Sequence, residues 1–306
     1  MKITSNGIRI EVEDSHPRDE GAGRPVVLLI MGLGMQLIAW PPALVQALVD
    51  AGYRVLRFDN RDAGLSEHFG HLGSPNLLWE GFKLRLGFQA RTPYSLSDMA
   101  GDALGVLDAA GVQRAHVVGV SMGGMIAQRL ALLAPARVAS LTSIMSSSNA
   151  RGLPGPTSEV TRALFTRPAG RGREAANAQT VRLLQIIAGP SFPTPVAELQ
   201  ARVSAAADRG FNPAGILRQM VAIGADGARA TELPRIAVPT LVVHGRADPL
   251  LPIACGEDTA RRIPGARFVA IEGMGHDLPP PVVQRVLPLL LAHFSAAEAP
   301  ATPPTA

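Results

Sequence analysis

Residues 119–123 read Gly-Val-Ser-Met-Gly. A serine hydroxyl is a weak nucleophile near neutral pH and attacks a carbonyl only when a neighbouring base takes its proton. Gly119, Gly123 and Gly124 leave room for a sharp strand-to-helix turn around Ser121, which would hold the nucleophile in a strained backbone conformation. The plainer alternative is an N-capping serine at a Gly-rich helix start. Among seven histidines, His276 has the setting of the base: it closes Gly273-Met274-Gly275-His276 just after an apolar run. Its alternative is an exposed loop histidine. Asp248, in Gly245-Arg246-Ala247-Asp248-Pro249, also follows an apolar run. A carboxylate there would orient the imidazole and stabilise its charged form; otherwise it is an Asp-Pro turn residue. His244, at the end of that run, suits packing or support of this group. Ser121, His276 and Asp248 together suit acyl transfer through a serine ester. Backbone N–H groups must then meet the negative charge on the carbonyl oxygen. Met122, directly after the serine, and Leu33, in Met31-Gly32-Leu33-Gly34, are the candidate donors.

Short apolar runs alternating with helical spacing predict an α/β fold, with a mostly parallel central sheet flanked by helices. The alternation over 3–13 around Asn6-Gly7 predicts a hairpin. The continuous apolar run at 25–31 fits a strand buried on both faces. Further strands are expected at 53–59, 115–120 and 138–145, and helices at 40–51, 95–110 and 122–134. Ser95 and Asp98 form a capping box for the helix at 95–110. From 146 to 235 no strand-like run occurs, and three helices (175–187, 195–209 and 213–223) are expected in a helical cap inserted into the sheet domain. Strands resume at 239–244 and 267–272, and a last helix spans 281–294. The expected organisation is a core of 1–145 with 236–296, a cap of 146–235, and a disordered tail of 297–306 rich in Pro, Ala and Thr.

Composition excludes several classes. Hydrophobic content of 47% with 18% charged residues describes an ordinary globular chain. A net charge of +4, scattered arginines and 4% aromatics give no basic, aromatic-laced stripe, so no nucleic-acid partner is expected. Cys255 is the only cysteine, which rules out an intrachain disulfide and a thiolate zinc site, and no metal is expected. No apolar run is long enough to span a bilayer, and none at the N-terminus has the length of a signal segment. A cytoplasmic protein without a membrane partner is the expectation. Gly32-Leu33-Gly34 followed by Asp59 faintly suggests a dinucleotide site, but Leu37 stands where the third glycine belongs and Pro41-Pro42 cut the following helix. The sequence gives no sign of oligomeric state.

The blocks MGLGMQLIAWP (31–41), FDNRDAGLS (58–66), HVVGVSMGG (116–124), PTLVVHGRADPL (239–250) and IEGMGHDLP (271–279) resemble the α/β-hydrolase superfamily over roughly 3–294. The order Ser121, Asp248, His276 is the order in that superfamily. The pattern is most similar to the aclacinomycin methylesterase group, which shares Met31 where many hydrolases carry histidine. This resemblance implies hydrolysis of a small-molecule carboxylic ester, a helical cap and no cofactor. It assigns Ser121, Asp248 and His276 as the triad, with Leu33 and Met122 at the oxyanion hole, and gives Arg61 and Asp62 no chemistry. Phe165, Leu183, Ile187, Phe192, Phe211 and Met220 are the cap side chains offered to a substrate, with the cap's own core as their alternative role. Lactone or C–C bond hydrolysis, and cofactor-free haloperoxidase or perhydrolase chemistry, stay open on the same triad. So does a ligand receptor that retains it.

Overall fold

The computed structural model describes residues 1–16, 23–85, 88, 92–166, 169–170 and 172–299. The apolar run predicted as a two-sided strand forms β3 (Val26–Ile30), with all five residues buried. It lies inside an eight-stranded sheet of order β1-β2-β4-β3-β5-β6-β7-β8. β1 (Lys2–Ser5) and β2 (Ile8–Asp14) are antiparallel, joined through Asn6 and Gly7 at φ 50° and 78°. Two successive positive φ values define the type I′ turn that Asn-Gly favours. From β4 (Arg54–Phe58) through β5 (Ala115–Val120), β6 (Val138–Ile144), β7 (Thr240–Gly245) and β8 (Arg267–Ile271), every pairing is parallel. The carboxyl ends of β3, β5, β7 and β8 therefore open on the same rim.

The helices cover two apolar faces. One core contains α3 (Leu96–Ala109) and α4 (Met122–Leu133), with Leu96, Met99, Ile126 and Leu130 against Leu28, Ile30 and Val117. The other holds α1 (Pro42–Asp50) and α11 (Pro280–Glu298), with Leu44, Leu48, Val286, Leu290 and Phe294 against Val27, Leu29 and Val243. The Ser95–Asp98 capping box at the start of α3 is present in both directions.

Between β6 and β7 lie α5 (Ser158–Phe165), α6 (Arg173–Ile187), α7 (Val196–Arg209), α8 (Pro213–Ala225) and the short α9 (Arg229–Glu232). Three of these were expected. The eight-residue α5 escapes periodicity because Pro and Gly crowd its approach, although Thr157 caps it through Val160 N–H. Two other elements also went unread, α2 (Leu77–Arg85) and α10 (Ala254–Arg262). Each spans nine residues and contains a glycine, too little for a clear 3.6-residue pattern. α11 continues four residues past the expected 294, so Ala297 and Glu298 are helical rather than tail. His116 Nε2 lies 2.8 Å from Glu298 Oε1, which anchors the extra turn to β5. Residues 300–306 of the expected tail lie outside the described residues.

The inserted helices have a small core of Val181, Leu199 and Val203 and are tied to the sheet by polar contacts. Arg218 on α8 donates from Nε and Nη2 to both oxygens of Asp62, at 2.7 Å each, and both side chains are fully buried. Tyr94 Oη donates to Asp62 Oδ2 at 2.8 Å and Asn212 Nδ2 to Asp62 O at 3.0 Å. Burial alone would raise the Asp62 pKa, but Arg218, Phe69 N–H and Tyr94 outweigh it and hold the carboxyl below its ordinary value. Breaking a buried pair from one side strands the other charge at a cost of about 3–5 kcal/mol. Arg218→Leu is therefore expected to lower unfolding free energy in urea by about that much. A loss under about 1 kcal/mol, the range of an exposed pair, would show that this contact does not hold the insert.

Candidate active site

β5 ends at Val120, and Ser121 leads directly into α4 with φ 55° and ψ −121°. A non-glycine residue at positive φ is strained, and the surroundings must enforce it. They do so by crowding. A Cβ on Gly119 would lie 2.1 Å from Gly123 O, and one on Gly123 would lie 2.0 Å from Ile30 O. Only glycine lets the helix start press this closely on β3 and β5. Ser146 Oγ donates to Ser121 O at 2.7 Å, and Ser121 N–H donates to Ile144 O at 2.9 Å, so the turn is held on both sides.

The structure brings Ser121, His276 and Asp248 together. His276 Nε2 is 2.9 Å from Ser121 Oγ, and His276 Nδ1 is 2.7 Å from Asp248 Oδ2. With the imidazole proton on Nδ1, the ring donates to the carboxylate and accepts from the serine hydroxyl. His276 hangs on the loop after β8, where its N–H donates to Ile187 O at the end of α6, at 2.7 Å. Asp248 follows β7 in a tight turn, and its Oδ1 accepts from Leu250 and Leu251 N–H at 2.9 Å each. Burial pushes its carboxyl upward. The charge of His276 and hydrogen bonds from His244 and His276 exceed that push and hold it well below the usual carboxylate range.

His244 takes the supporting place. It is fully buried, donates from Nε2 to Leu251 O at 2.7 Å, and lies 3.5 Å from Asp248 Oδ2. Asp277, next to His276, carried no assignment in the sequence. Its Oδ1 is buried without a hydrogen-bond partner among the described residues, and burial raises its pKa to about 6 against the pull of Gly189 N–H, Arg202 and His276. Nothing in the sequence marks it except its place next to His276.

Gly32 faces the serine: a Cβ there would lie 3.2 Å from Ser121 Cβ. Among the described residues, no acceptor takes the Met122 N–H, at the first position of α4, or the Leu33 N–H beside Gly32. Two free amides next to a serine can receive an oxyanion. The side chains offered for a substrate pocket separate. Phe211 lines a cavity of about 380 Å³ between the 34–39 loop and α6–α8, with Leu184 and Ile216 as further walls. Phe165 is exposed, and Phe192 packs on the core beneath the Arg285 guanidinium. Ile187 is buried, while Leu183 and Met220 are half-buried and do not line that cavity. Among the described residues, no group of three or more His, Cys, Asp or Glu is arranged to hold a metal, and no helix is long and apolar enough to cross a membrane.

The chain belongs to the α/β hydrolase fold family, whose model matches residues 25–279. Within it, the chain is 33% identical over 301 residues to the rhodomycin D methylesterase DauP of Streptomyces sp. (strain C5), covering 91% of this chain and 94% of that protein. It is 32% identical over 256 residues to the putative carbamate hydrolase RutD of Variovorax paradoxus (strain S110), covering 82% and 83%. Among solved structures, the esterase EaEST from Exiguobacterium antarcticum superposes with a TM-score of 0.75 over 96% of this chain and 99% of that one. At 20% identity, that likeness is one of fold.

The Asp277 carboxyl gives the site a pH signature. Its folded pKa of about 6 lies above the ordinary 3.8. Between these values the folded state keeps a proton that the unfolded chain has lost, so stability falls as pH rises through that window. Asp277→Asn removes this loss. Its melting temperature relative to the parent is expected to be level near pH 4 and higher above pH 6. A relative melting temperature constant from pH 4 to 8 would contradict the burial argument.

Proposed function

We propose that the protein is a serine carboxylesterase in which Ser121, His276 and Asp248 form the triad and the Leu33 and Met122 amides form the oxyanion hole. The observation that carries this reading is the continuous path from Asp248 through His276 to Ser121 Oγ, beside two backbone donors with no acceptor among the described residues. The relatives named as methylesterases support an ester substrate, with a methyl ester as the first candidate.

The reaction runs in two halves. Ser121 Oγ attacks the ester carbonyl while His276 Nε2 takes its proton, and the carbonyl electron pair moves onto an oxygen met by the Leu33 and Met122 N–H groups. That pair returns as the bond to the alcohol breaks, and His276 protonates the leaving alkoxide. Water then attacks the acyl-serine, giving its proton to His276, and collapse releases the acid and restores the Ser121 hydroxyl. Asp248 keeps Nδ1 protonated and stabilises the imidazolium in both halves. Residues 146–235 act as the cap, and the cavity beside Phe211, Leu184 and Ile216 receives an apolar part of the substrate. No step calls for a metal or an organic cofactor.

Ser121→Ala is expected to lower kcat on p-nitrophenyl butyrate by about 10⁶-fold, and Asp248→Asn by about 10⁴-fold through loss of the productive tautomer. Parental turnover by Ser121→Ala would refute the assignment. A panel of methyl esters, lactones and β-diketones separates ester cleavage from lactone and C–C bond cleavage. A product yield that stops near one equivalent would instead mark a receptor.

A further inference from the structure

We propose that Gly189, just past the inserted helix α6, is a positioning residue for the base: by admitting no side chain, it lets the insert hold the His276 backbone through the Ile187 carbonyl. The inference rests on the roles given above to Ser121 and His276.

The loop after β8 is held from two directions. On the sheet side, Ala247 N–H donates to Met274 O at 3.1 Å, Met274 is fully buried, and a Cβ on Gly245 would lie 2.1 Å from Met274 O and 2.9 Å from Gly275 O. Those contacts end at Gly275. The next amide, that of His276, turns to the insert and donates to Ile187 O at 2.7 Å. Among the described residues, the His276 backbone makes no other hydrogen bond. The sheet therefore fixes the loop up to the base, and the insert fixes the base itself.

That hydrogen bond exists because main chain meets main chain. A Cβ on Gly189 would lie 2.2 Å from Gly273 O and 2.3 Å from Gly275 N. From the other side, a Cβ on Gly275 would lie 2.2 Å from Gly189 N and 2.6 Å from Ile187 O. Neither glycine has a positive φ, so alanine's backbone is permitted at both, and contact alone excludes its side chain. The atoms met are backbone atoms, which cannot swing aside as the tip of a long side chain can. A methyl group at 189 must part the two segments by about 1 Å to reach ordinary van der Waals distance. Gly245 blocks the retreat of Met274 toward the sheet. The strain therefore falls on the junction of 187–189 with 275–276, where His276 either moves or loses its acceptor. In both cases Nε2 leaves its 2.9 Å contact with Ser121 Oγ. The insert thus supports the base as well as lining a pocket.

The test is a double-mutant cycle between Gly189→Ala and His276→Ala on p-nitrophenyl butyrate. Gly189→Ala alone is expected to lose about 10²-fold in kcat, the scale of a 1 Å misplacement, with KM nearly unchanged. In the His276→Ala background the same substitution is expected to leave the residual rate within about twofold, because the side chain it acts through is gone. General damage to the site would lower both backgrounds alike. Val181→Ala, a buried packing change on α6, serves as the stability control and is expected to keep parental kcat. Gly275→Ala fills the same gap from the loop side and is expected to repeat the result of Gly189→Ala. Should neither glycine variant fold, amide exchange of the parental protein decides. The His276 N–H is expected to be protected, and exchange at the rate of an unbonded loop amide would overturn the proposal. So would parental kcat in Gly189→Ala, an equal loss in Val181→Ala, or an equal loss in the His276→Ala background. Ser121→Ala measured alongside separates the two assignments. Activity there refutes the site itself, whereas an inert Ser121→Ala beside a parental Gly189→Ala refutes only the role of Gly189.

Discussion

The close approach of backbone to backbone at the β5–α4 turn is the constraint on which the rest depends. Gly119 lies against Gly123, and Gly123 against the carbonyl of Ile30, at separations no Cβ would tolerate. That packing forces Ser121 to φ 55°, a conformation costing on the order of 1–3 kcal/mol that the surrounding sheet must hold. In return the hydroxyl leaves the sheet edge facing His276, and the first amide of α4 has no acceptor among the described residues. The parallel register does the remaining work. Because β5, β7 and β8 end on one rim, residues 121, 248 and 276 converge although 155 positions separate the first from the last.

Charge is organised around that rim by the loop after β4. Asp59 accepts from Leu37 and Leu65 N–H and from Arg209, Asn60 holds Met31 O, Arg61 pairs with Asp102, and Asp62 grips Arg218. Four consecutive polar residues are buried here, and each makes at least one of these contacts, while Asn60 Oδ1 has no partner among the described residues. The loop acts on the site through these contacts. It fixes two things that do matter to chemistry, the strand-to-turn path at 31–37 and the seat of the inserted helices.

The sequence was most legible where a local rule leaves a mark. The Asn6-Gly7 turn, the Ser95–Asp98 capping box and the all-apolar β3 each follow from neighbours in the chain, and the structure has them where that reading put them. The glycine pattern around Ser121 was legible for the same reason. Short helices such as α2, α5 and α10 were not, since eight or nine residues interrupted or bordered by glycine and proline give no clear period. The end of α11 was misjudged because the His116–Glu298 contact joins residues 182 apart. Asp277 looked unremarkable for a related reason: what sets it apart is its own buried Oδ1, which has no hydrogen-bond partner among the described residues. The pocket was least legible, because two consecutive leucines of one helix, Leu183 and Leu184, have different fates that composition cannot distinguish.

The central claim is that an acyl group passes through Ser121. Acid-quenching the enzyme during turnover of an activated ester and mapping the acyl mass by peptide mass spectrometry tests it directly. The account predicts a single acylated position, Ser121, filled and emptied at rates that match steady-state turnover. Full-rate hydrolysis with the acyl mass on another residue, or with none on the protein under conditions where its loss is slow, would contradict it.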